Sequence, residues 1–401
     1  MENIKSYSSV VMGSYINAYC IASELRAFDE TNIALLYSKK SYCNFSNKFN
    51  SKIKYISEEG LLNALKSLSL KYKYLILFPT DDLQLRLLAN IYEEIKDFCY
   101  LPMNPKTFQR LEDKFYQYNL CEKLDISYPK SIKVSLANEL DSISLRFPFI
   151  LKPTIREDID TEVFRSLLIE SASDLHKNKI MLENFIKQGI KFIASEYIPG
   201  EDNKIYAYTC FKTLDGDIKG EWVGRKLTQF RDNFGVFASA VNTQSSVLID
   251  LGRKIASHID YHGIIEPEFK YDERDNQFKL MEINLRSMMW HKVGFNSGVY
   301  LHKNLLDYAL QREFEVTSQS HISRTNLVFL PNEFSNLILK KNHLLKFYKI
   351  LTQGDRVDFI GYSFSDKRVI LFSIFDLAVK VSSACLRLLK TGLKLVFKEK
   401  S

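Results

Sequence analysis

The first hundred residues alternate short apolar runs with longer stretches of helical periodicity. Apolar runs at residues 8–12, 33–37 and 74–78 predict three strands. Helical patterns at residues 15–28 and 82–95 follow the first and third of these strands. Strands that alternate with helices predict a parallel, Rossmann-like sheet, which binds ligands at the carboxyl ends of its strands. No GxGxxG motif is present, so a dinucleotide is not indicated.

Two acidic runs with a polar turn between them predict an antiparallel hairpin in the second half of the chain. The runs cover residues 263–270 and 280–286. Glu282 and Asn284 are separated by one residue, so their side chains project from the same face of a strand, and pairing sets Glu268 beside them. Three oxygen ligands without His or Cys suit Mg²⁺ bound together with nucleotide phosphates. Solvated carboxylates on an acidic hairpin are the alternative interpretation.

Length and composition are those of a soluble globular protein. A chain of 401 residues normally contains two or three domains, and 46% hydrophobic with 26% charged residues is typical of such proteins. No uninterrupted apolar run approaches the roughly eighteen residues of a membrane span, and the N-terminus lacks the build of a signal peptide. Six scattered cysteines without a CxxC pair indicate reduced thiols. These features predict a cytoplasmic protein.

The net charge of +7 is modest for this length. Lysines are spread along the chain, and no compact run of Arg and Lys with interleaved aromatic residues marks a nucleic-acid surface. We therefore expect no nucleic-acid partner. Anionic substrates such as nucleotides account for the basic bias equally well.

An ordered series of motifs between about residues 110 and 310 resembles the ATP-grasp superfamily, specifically its carboxylate–amine ligase branch. The motifs lie at residues 112–114 (Glu-Asp-Lys), 124–130, 147–153, 195–202, 224–227, 268 and 282–286. Each motif is weak alone, and their order carries the resemblance. It implies an α/β fold class in which an N-terminal Rossmann-like parallel sheet domain precedes a two-lobed α+β ATP-grasp domain.

The resemblance also predicts the domain organisation. Two lobes would clasp ATP between them, with Lys114 and Lys152 on the small lobe and the acids on the large one. The predicted units are an N-terminal domain (1–103), a small lobe (104–190), a large lobe with the metal site (191–315) and a C-terminal extension (316–401).

Two lysines are candidates for binding the nucleotide phosphates. Lys152 follows an apolar strand and precedes Pro153, and an ammonium group at a strand end that faces a cleft suits phosphate. The resemblance implies that Lys152 contacts the α- and β-phosphates and that Lys114 is the second cation. The alternative for each is an ordinary solvated lysine.

The segment that begins at Glu196 resembles the hinge between the lobes. The resemblance implies that the backbone beside Tyr197 and Ile198 pairs with the adenine edge and that Asp202 accepts hydrogen bonds from ribose hydroxyls. A largely apolar segment with a few polar groups is typical of nucleotide pockets. A strand that ends in a Pro-Gly turn is the alternative.

Two arginines are candidate catalytic residues. Arg286 lies two residues beyond Asn284 on the same strand face, and Arg225 closes another strand together with Lys226. Guanidinium groups stabilise charge that develops on a transferring phosphoryl group or a tetrahedral oxyanion. We predict this role for Arg286, and contact with a substrate carboxylate for Arg225. His291 lies near the acids, and we interpret it as a structural contact rather than a base.

The chain departs from the family pattern at two places. The loop at residues 154–160 contains no glycine, whereas many ATP-grasp enzymes cover the phosphates with a glycine-rich loop. Backbone contacts to phosphate are therefore in doubt there, and Arg156 is a candidate to compensate. Leu285 stands where the family usually has proline, which leaves the predicted ligands intact.

The predicted function is an ATP-dependent ligation of a carboxylate to an amine through an acyl phosphate, with release of ADP and phosphate. The predicted cofactors are ATP and Mg²⁺, with Mn²⁺ as an alternative ion, and the metal ligands are Glu268, Glu282 and Asn284. Amino acids or amino sugars are candidate substrates, and the oligomeric state stays open. An ATP-binding protein without ligase activity, or a small-molecule kinase on the same fold, is the alternative.

Asp81 and Asp82 allow two interpretations. The two residues either cap a helix or, as the resemblance implies for this domain, contact an amine substrate.

Near the C-terminus, apolar residues recur at helical spacing from Ile374 to Val396 among basic residues. This pattern predicts an amphipathic terminal helix, which either packs on the protein body or makes peripheral contact with an anionic membrane.

Overall fold

The computed structural model describes residues 6–155, 163–230, 235–319 and 323–398, with side chains through residue 388. The strands are β1 (Tyr7–Met12), β2 (Ile33–Tyr37), β3 (Ser51–Lys54), β4 (Tyr74–Phe78), β5 (Cys99–Tyr100), β6 (Ser131–Val134), β7 (Phe149–Pro153), β8 (Leu167–Ile169), β9 (Phe192–Glu196), β10 (Ile205–Lys212), β11 (Ile218–Phe230), β12 (Val236–Asn242), β13 (Gly263–Asp272), β14 (Gln277–Asn284), β15 (Thr325–Val328) and β16 (Arg356–Phe359). The helices are α1 (Ile16–Ala27), α2 (Tyr42–Phe45), α3 (Glu58–Ser69), α4 (Asp82–Asn90), α5 (Tyr92–Ile95), α6 (Pro105–Glu112), α7 (Lys114–Lys123), α8 (Ala172–Lys187), α9 (Ser246–His258), α10 (Lys292–Asn296), α11 (Leu301–Ala309), α12 (Leu330–Leu339), α13 (His343–Thr352) and α14 (Lys367–Lys398).

The N-terminal sheet is parallel, as predicted, with strand order β3-β2-β1-β4-β5. Its central strands are buried along almost their whole length, which is why they read as continuous apolar runs. The helix predicted over residues 82–95 is in fact two, because α4 ends at Asn90 and α5 begins at Tyr92. At the carboxyl end of β1, Gly13 has a φ of +87°, and a Cβ there would lie 2.5 Å from Thr80 Oγ1.

A four-stranded antiparallel sheet forms the small lobe, in the order β6-β9-β7-β8. Phe149, Leu151 and Phe192 are fully buried in its core, which also includes apolar residues of α8. Strand β7 carries Lys152, and β9 ends at Glu196. The sheet therefore continues beyond residue 190.

A seven-stranded sheet forms the large lobe, in the order β14-β13-β10-β11-β12-β15-β16. Strands β13 and β14 form the predicted antiparallel hairpin, with Glu268 opposite Glu282 and Glu266 opposite Asn284. Strands β15 and β16, which follow residue 316, extend the same sheet. The observed fold confirms the predicted α/β class, and the boundaries at residues 103, 190 and 315 stay predictions.

Helix α14 packs against α12 and α2. By length and composition alone, its segment Lys367–Leu388 is the one stretch in the described part of the chain that is long and apolar enough to cross a membrane. Only 17% of that segment's most apolar window is buried within the molecule. The sequence pattern predicted a helix here but not a segment that could span a membrane, because Asp376 and Lys380 interrupt its apolar run.

Candidate nucleotide and substrate site

A cavity of about 280 Å³ is lined by residues of the small-lobe sheet and the large-lobe sheet. One part of its wall is apolar and includes Ile150, Phe164, Ile198 and Met281. Another part carries charged and polar side chains. The cations are Lys114, Lys152, Arg165, Lys226, Lys270 and Arg286. The side chains with carboxylate or amide oxygens include Asp82, Glu268, Glu282 and Asn284. Six cations against three carboxylates give the cavity an excess of positive charge, which suits a polyphosphate.

The hairpin β13–β14 sets the two acidic residues side by side. Glu268 and Glu282 are direct cross-strand partners, and both line the cavity. Lys226 on β11 reaches across β10 and donates to Glu268 Oε2 at 2.6 Å. Two facing carboxylates repel one another, and the ammonium group of Lys226 offsets that repulsion.

Asn284 is oriented by a buried network that the sequence did not reveal. Its Nδ2 lies 3.3 Å from Glu266 Oε1, and Glu266 is fully buried. Because a carboxylate only accepts hydrogen bonds, the amide nitrogen of Asn284 must face Glu266, and its oxygen stays available as a metal ligand. His291 Nε2 lies 2.5 Å from the other oxygen of Glu266. This contact agrees with the interpretation of His291 as a structural residue.

Burial and neighbouring charges push the pKa values of the acidic pair in opposite directions. Burial raises the pKa of Glu282, but the cations Lys114, Arg165 and Lys152 outweigh it and hold the pKa at about 2. Burial raises the pKa of Glu268 above its usual value, against the lowering effect of Lys226. The pKa of Glu282 therefore lies below that of Glu268.

Lys152 is a half-buried cation whose pKa lies below its usual value. Burial lowers the pKa of Lys152 to about 8, with Glu282 acting in the opposite direction and Lys114 adding to the decrease. Polyphosphate bound in the cavity would favour the charged form. We therefore expect nucleotide affinity to depend on the protonation of Lys152.

We expect the affinity for ADP to weaken as the pH rises through about 8, because free Lys152 is charged below this pH and loses its proton above it. Between about pH 7.5 and pH 9 the Kd should rise by about eightfold. In Lys152→Arg the charge persists and the pH dependence should flatten. Calorimetric titrations over this pH range measure both. Lys177→Arg, at an exposed lysine of α8, is the matched control, and a pH-independent Kd in the parent protein would contradict the assignment.

The predicted hinge is only partly in the cavity. Tyr197 and Ile198 line it, and Lys270 Nζ donates to the Ile198 carbonyl at 2.8 Å, which fixes the course of the backbone there. Glu196 does not line the cavity, because its carboxylate pairs with Arg274 at 2.8 Å.

Asp202 does not line this cavity, and the hydrogen bonds from ribose stay a prediction. Its carboxylate accepts from the backbone N–H of Gln229 at 2.9 Å and from its side chain at 3.0 Å. It also lies 3.7 Å from Lys340 Nζ. These contacts anchor the turn after the hinge to β11.

Arg225 does not line the cavity either, and its contact with a substrate carboxylate stays a prediction. Neighbouring residues on a strand project to opposite faces, so on β11 Lys226 points into the cavity and Arg225 points away from it. The guanidinium of Arg225 lies 6.0 Å from the centre of the Tyr206 ring. On this strand Lys226, and not Arg225, lines the cavity.

Arg286 forms a bidentate ion pair with Asp82. Its Nε and Nη2 lie 2.6 and 2.8 Å from the two carboxylate oxygens. Asp81 accepts from the Leu83 N–H at 2.9 Å and caps α4, which agrees with the capping interpretation. The pair fixes the guanidinium plane of Arg286 at the edge of the cavity.

Lys114 is the first residue of α7, and its backbone N–H donates to the Thr154 carbonyl at 3.1 Å. This bond ties the start of α7 to the segment that follows Lys152. Arg156, and most of the glycine-poor loop, lie outside the described residues. Arg165 follows that loop and lines the cavity, although no sequence signal had singled it out.

A second cavity, of about 520 Å³, adjoins the first at the carboxyl ends of the parallel strands. The two cavities share Arg165, Lys226, Gly235, Glu268, Glu282, Arg286 and Met288. The second extends to Ser14, Lys39, Lys40 and Asp81 of the N-terminal domain. A ligand there would meet the charged end of the first cavity directly.

No family model matches the chain. A D-aspartate ligase of Enterococcus faecium (strain Aus0004) is 24% identical over 311 residues, which cover 71% of this chain and 72% of that protein. An N5-carboxyaminoimidazole ribonucleotide synthetase in complex with ADP matches with a TM-score of 0.63 and 14% identity, over 84% of this chain and 86% of the other. An L-amino acid ligase from Bacillus licheniformis matches with a TM-score of 0.60 and 13% identity, over 80% of each chain. The structural matches confirm the predicted fold.

Proposed function

We propose that this chain is an ATP-dependent ligase of the ATP-grasp superfamily that joins a carboxylate to an amine, which its similarity to the proteins above supports. The observation that carries the proposal is the pair of adjoining cavities, which share Lys226, Glu268, Glu282 and Arg286. One cavity suits a nucleotide and the other a small molecule. Their shared wall is where the γ-phosphate of ATP and a substrate carboxylate would meet.

The reaction proceeds in two transfers. A carboxylate oxygen attacks the γ-phosphorus of ATP, ADP leaves, and an acyl phosphate forms. The amine nitrogen then attacks the acyl carbon, phosphate leaves with the bond to that oxygen, and the nitrogen loses a proton. Phosphorylation is needed because a carboxylate would otherwise have to expel oxide, which is a very poor leaving group.

The cavity residues contribute binding and charge stabilisation. Lys114 and Lys152 hold the phosphates, and the ring of Tyr197 with the chain at Ile198 forms the nucleotide's apolar wall. Arg286, with its plane fixed by Asp82, stabilises the negative charge on the transferring phosphoryl group and on the tetrahedral adduct. Positioning of two reactants in adjoining cavities can contribute on the order of 7–11 kcal/mol to lowering the barrier.

The residues fit a magnesium ion bound with the nucleotide. The described residues hold no group of three His, Cys, Asp or Glu side chains that forms a metal site alone. Glu268, Glu282 and the amide oxygen of Asn284 would hold Mg²⁺, or Mn²⁺, with phosphate oxygens completing the shell. When bound, the ion neutralises charge on the β- and γ-phosphates.

We propose an amino acid as the carboxylate substrate, with an amino acid or an amino sugar as candidates for the amine. The names of the two amino acid ligases above support this choice. Lys39, Lys40 and Arg165 supply cations to the second cavity and Asp81 an acid, a combination that matches a substrate with both charges. The free, mostly buried cysteines support a reducing, cytoplasmic setting.

The proposal is tested by phosphate release from ATP with panels of amino acids and amino sugars. We expect release to require one carboxylate and one amine together, with ADP as the other product. A phosphorylated product that accumulates without any amine requirement would identify a kinase and contradict the proposal. Nucleotide binding without turnover for any pair in the panels would also count against it.

A further inference from the structure

Helix α14 turns one side toward the protein body. Val369, Ser373 and Ala384 on this side are buried, and Ser373 Oγ donates to the Gly361 carbonyl at 3.0 Å. Phe372 stacks on Phe45 beside them, with ring centres 4.6 Å apart. The helix is therefore attached to the body along one stripe.

The two charged side chains in the middle of α14 belong to the packed side. Asp376 accepts a hydrogen bond from Tyr42. Lys380 Nζ lies 3.0 Å from the Tyr15 hydroxyl, 3.2 Å from Asn332 Oδ1 and 3.3 Å from Asp376. A helix that crossed a bilayer would have to leave these partners and carry both charges into hydrocarbon, which is costly.

The opposite side of α14 is apolar and exposed. Between Arg368 and Arg387, none of the exposed residues is charged. Large apolar side chains dominate this outer face, and 49–68% of the surface of each is exposed: Leu371, Ile374, Phe375, Val379 and Leu386. From Leu371 to Leu386 the face runs for about 22 Å at the rise of an α-helix. Ser382 and Ser383 are also exposed on it, so the strip is uncharged and mostly apolar. A strip of this kind marks an interaction surface.

Cations stand at both ends of the outer face. Lys367 and Arg368 are exposed at its beginning, and Arg387 is exposed at its end. The sequence then adds Lys390, Lys394 and Lys398 before its next acidic residue, Glu399. A second copy of α14 would bring like charges together in either a parallel or an antiparallel arrangement. An anionic lipid surface complements both the strip and its ends.

We propose that α14 lies in the surface of an anionic lipid bilayer, with its outer face among the acyl chains and its terminal cations among the headgroups. The body of the protein, with its two cavities, is thereby held beside the membrane without a segment that spans it. The proposal does not depend on the ligase reaction, and either can fail without the other.

Vesicle flotation of the full chain tests the binding. We expect the protein to float with vesicles that contain about 30% phosphatidylglycerol, and to float much less with pure phosphatidylcholine or at about 0.5 M salt. The double variant Ile374→Glu with Phe375→Glu should lower vesicle affinity at least about tenfold, because two carboxylates then face the acyl chains and the anionic headgroups. ATP binding and thermal stability should stay unchanged.

The matched control is the double variant Ile56→Glu with Leu70→Glu, at residues of the N-terminal domain that are 84% and 88% exposed. It adds the same two charges at exposed apolar residues and should float like the parent protein. Equal loss of flotation in both variants, or flotation that is unchanged in the α14 variant, would contradict the proposal. So would a dimer in solution that the α14 variant dissociates, since that result would assign the face to a second copy.

Cys385 provides a reporter of depth, because it is exposed whereas the other five cysteines are buried. An environment-sensitive fluorophore attached there should shift to shorter wavelength on addition of anionic vesicles. Quenchers placed near the headgroups should reduce its emission more than quenchers at the bilayer centre. An unshifted spectrum, or a fluorophore quenched most strongly at the bilayer centre, would overturn a helix that lies in the surface.

Discussion

Replacing Glu282 by glutamine is expected to lower turnover by at least about a thousandfold. Glutamine keeps the size of the side chain and removes the charge that faces four cations and a bound metal ion. Burial is outweighed by Lys114, Arg165 and Lys152, which hold the pKa of Glu282 at about 2, so the lost group is fully ionised at neutral pH. Glu268 does not replace it, because its Oε2 already accepts a hydrogen bond from Lys226 Nζ at 2.6 Å.

The fold should tolerate Glu282→Gln with a modest loss of stability. A carboxyl whose folded pKa lies below its usual value of 4.5 stabilises the fold above that pH, and this contribution disappears as the pH falls toward about 2. The variant lacks the contribution, so its Tm should be a few degrees lower at neutral pH. Glu273→Gln, in the turn of the same hairpin, is the matched control and should retain near-normal turnover. Near-normal turnover of Glu282→Gln would show that the reaction does not need the carboxylate of Glu282, and would contradict its role as a metal ligand.

Arg286→Lys should lower kcat by about a hundredfold to a thousandfold, with little change in ATP affinity. Lysine keeps the charge but cannot reproduce the two-pronged contact with Asp82 or the planar donor fork of arginine. The loss should therefore fall on the step in which charge develops, and single-turnover kinetics with direct ADP titration separate the two quantities.

Arg274→Lys is the control for this substitution, because Arg274 also contacts two carboxylates, those of Asp272 and Glu196, outside the cavity. We expect its kcat to stay within about twofold of the parent value. If Arg286→Lys weakened ATP binding and left kcat unchanged, Arg286 would be a nucleotide contact rather than a catalytic residue.

The sequence predicted the acidic hairpin well because a strand has a simple two-residue period. The period and the short turn are local properties, but the pairing of Glu268 with Glu282 also depends on a register shift between Glu268 and Phe269, which cannot be counted from the sequence. The parallel sheet was equally accessible, since its buried strands are continuous apolar runs. Lys152 was recognised for the same reason, as a charge at the end of such a run.

Residues whose partners are distant in the chain were harder to predict. Asp202 meets Gln229 across 27 residues, and Asp82 meets Arg286 across 204. The choice between Arg225 and Lys226 depended on which face of β11 meets the cavity. The pairing of β11 with β12 shifts register after Lys226, so that face cannot be counted from the sequence.

The exposed face of helix α14 was also hard to predict, because it depends on how the helix packs. Its periodicity predicted a helix, but only the packing shows that Asp376 and Lys380 turn toward the body and leave an uncharged outer face. The extension also contributes β15 and β16 to the large sheet, which no local pattern had indicated.

The most direct test of the central claim follows the fate of a substrate oxygen. The active amino acid, identified by the phosphate-release panels, is labelled with oxygen-18 in its carboxylate and incubated with ATP and the amine. If the carboxylate is phosphorylated and then attacked by the amine, one labelled oxygen must appear in the released phosphate for each bond formed. Mass spectrometry of the phosphate should therefore show one labelled oxygen per turnover. Unlabelled phosphate beside a completed carbon–nitrogen bond would contradict the acyl-phosphate route.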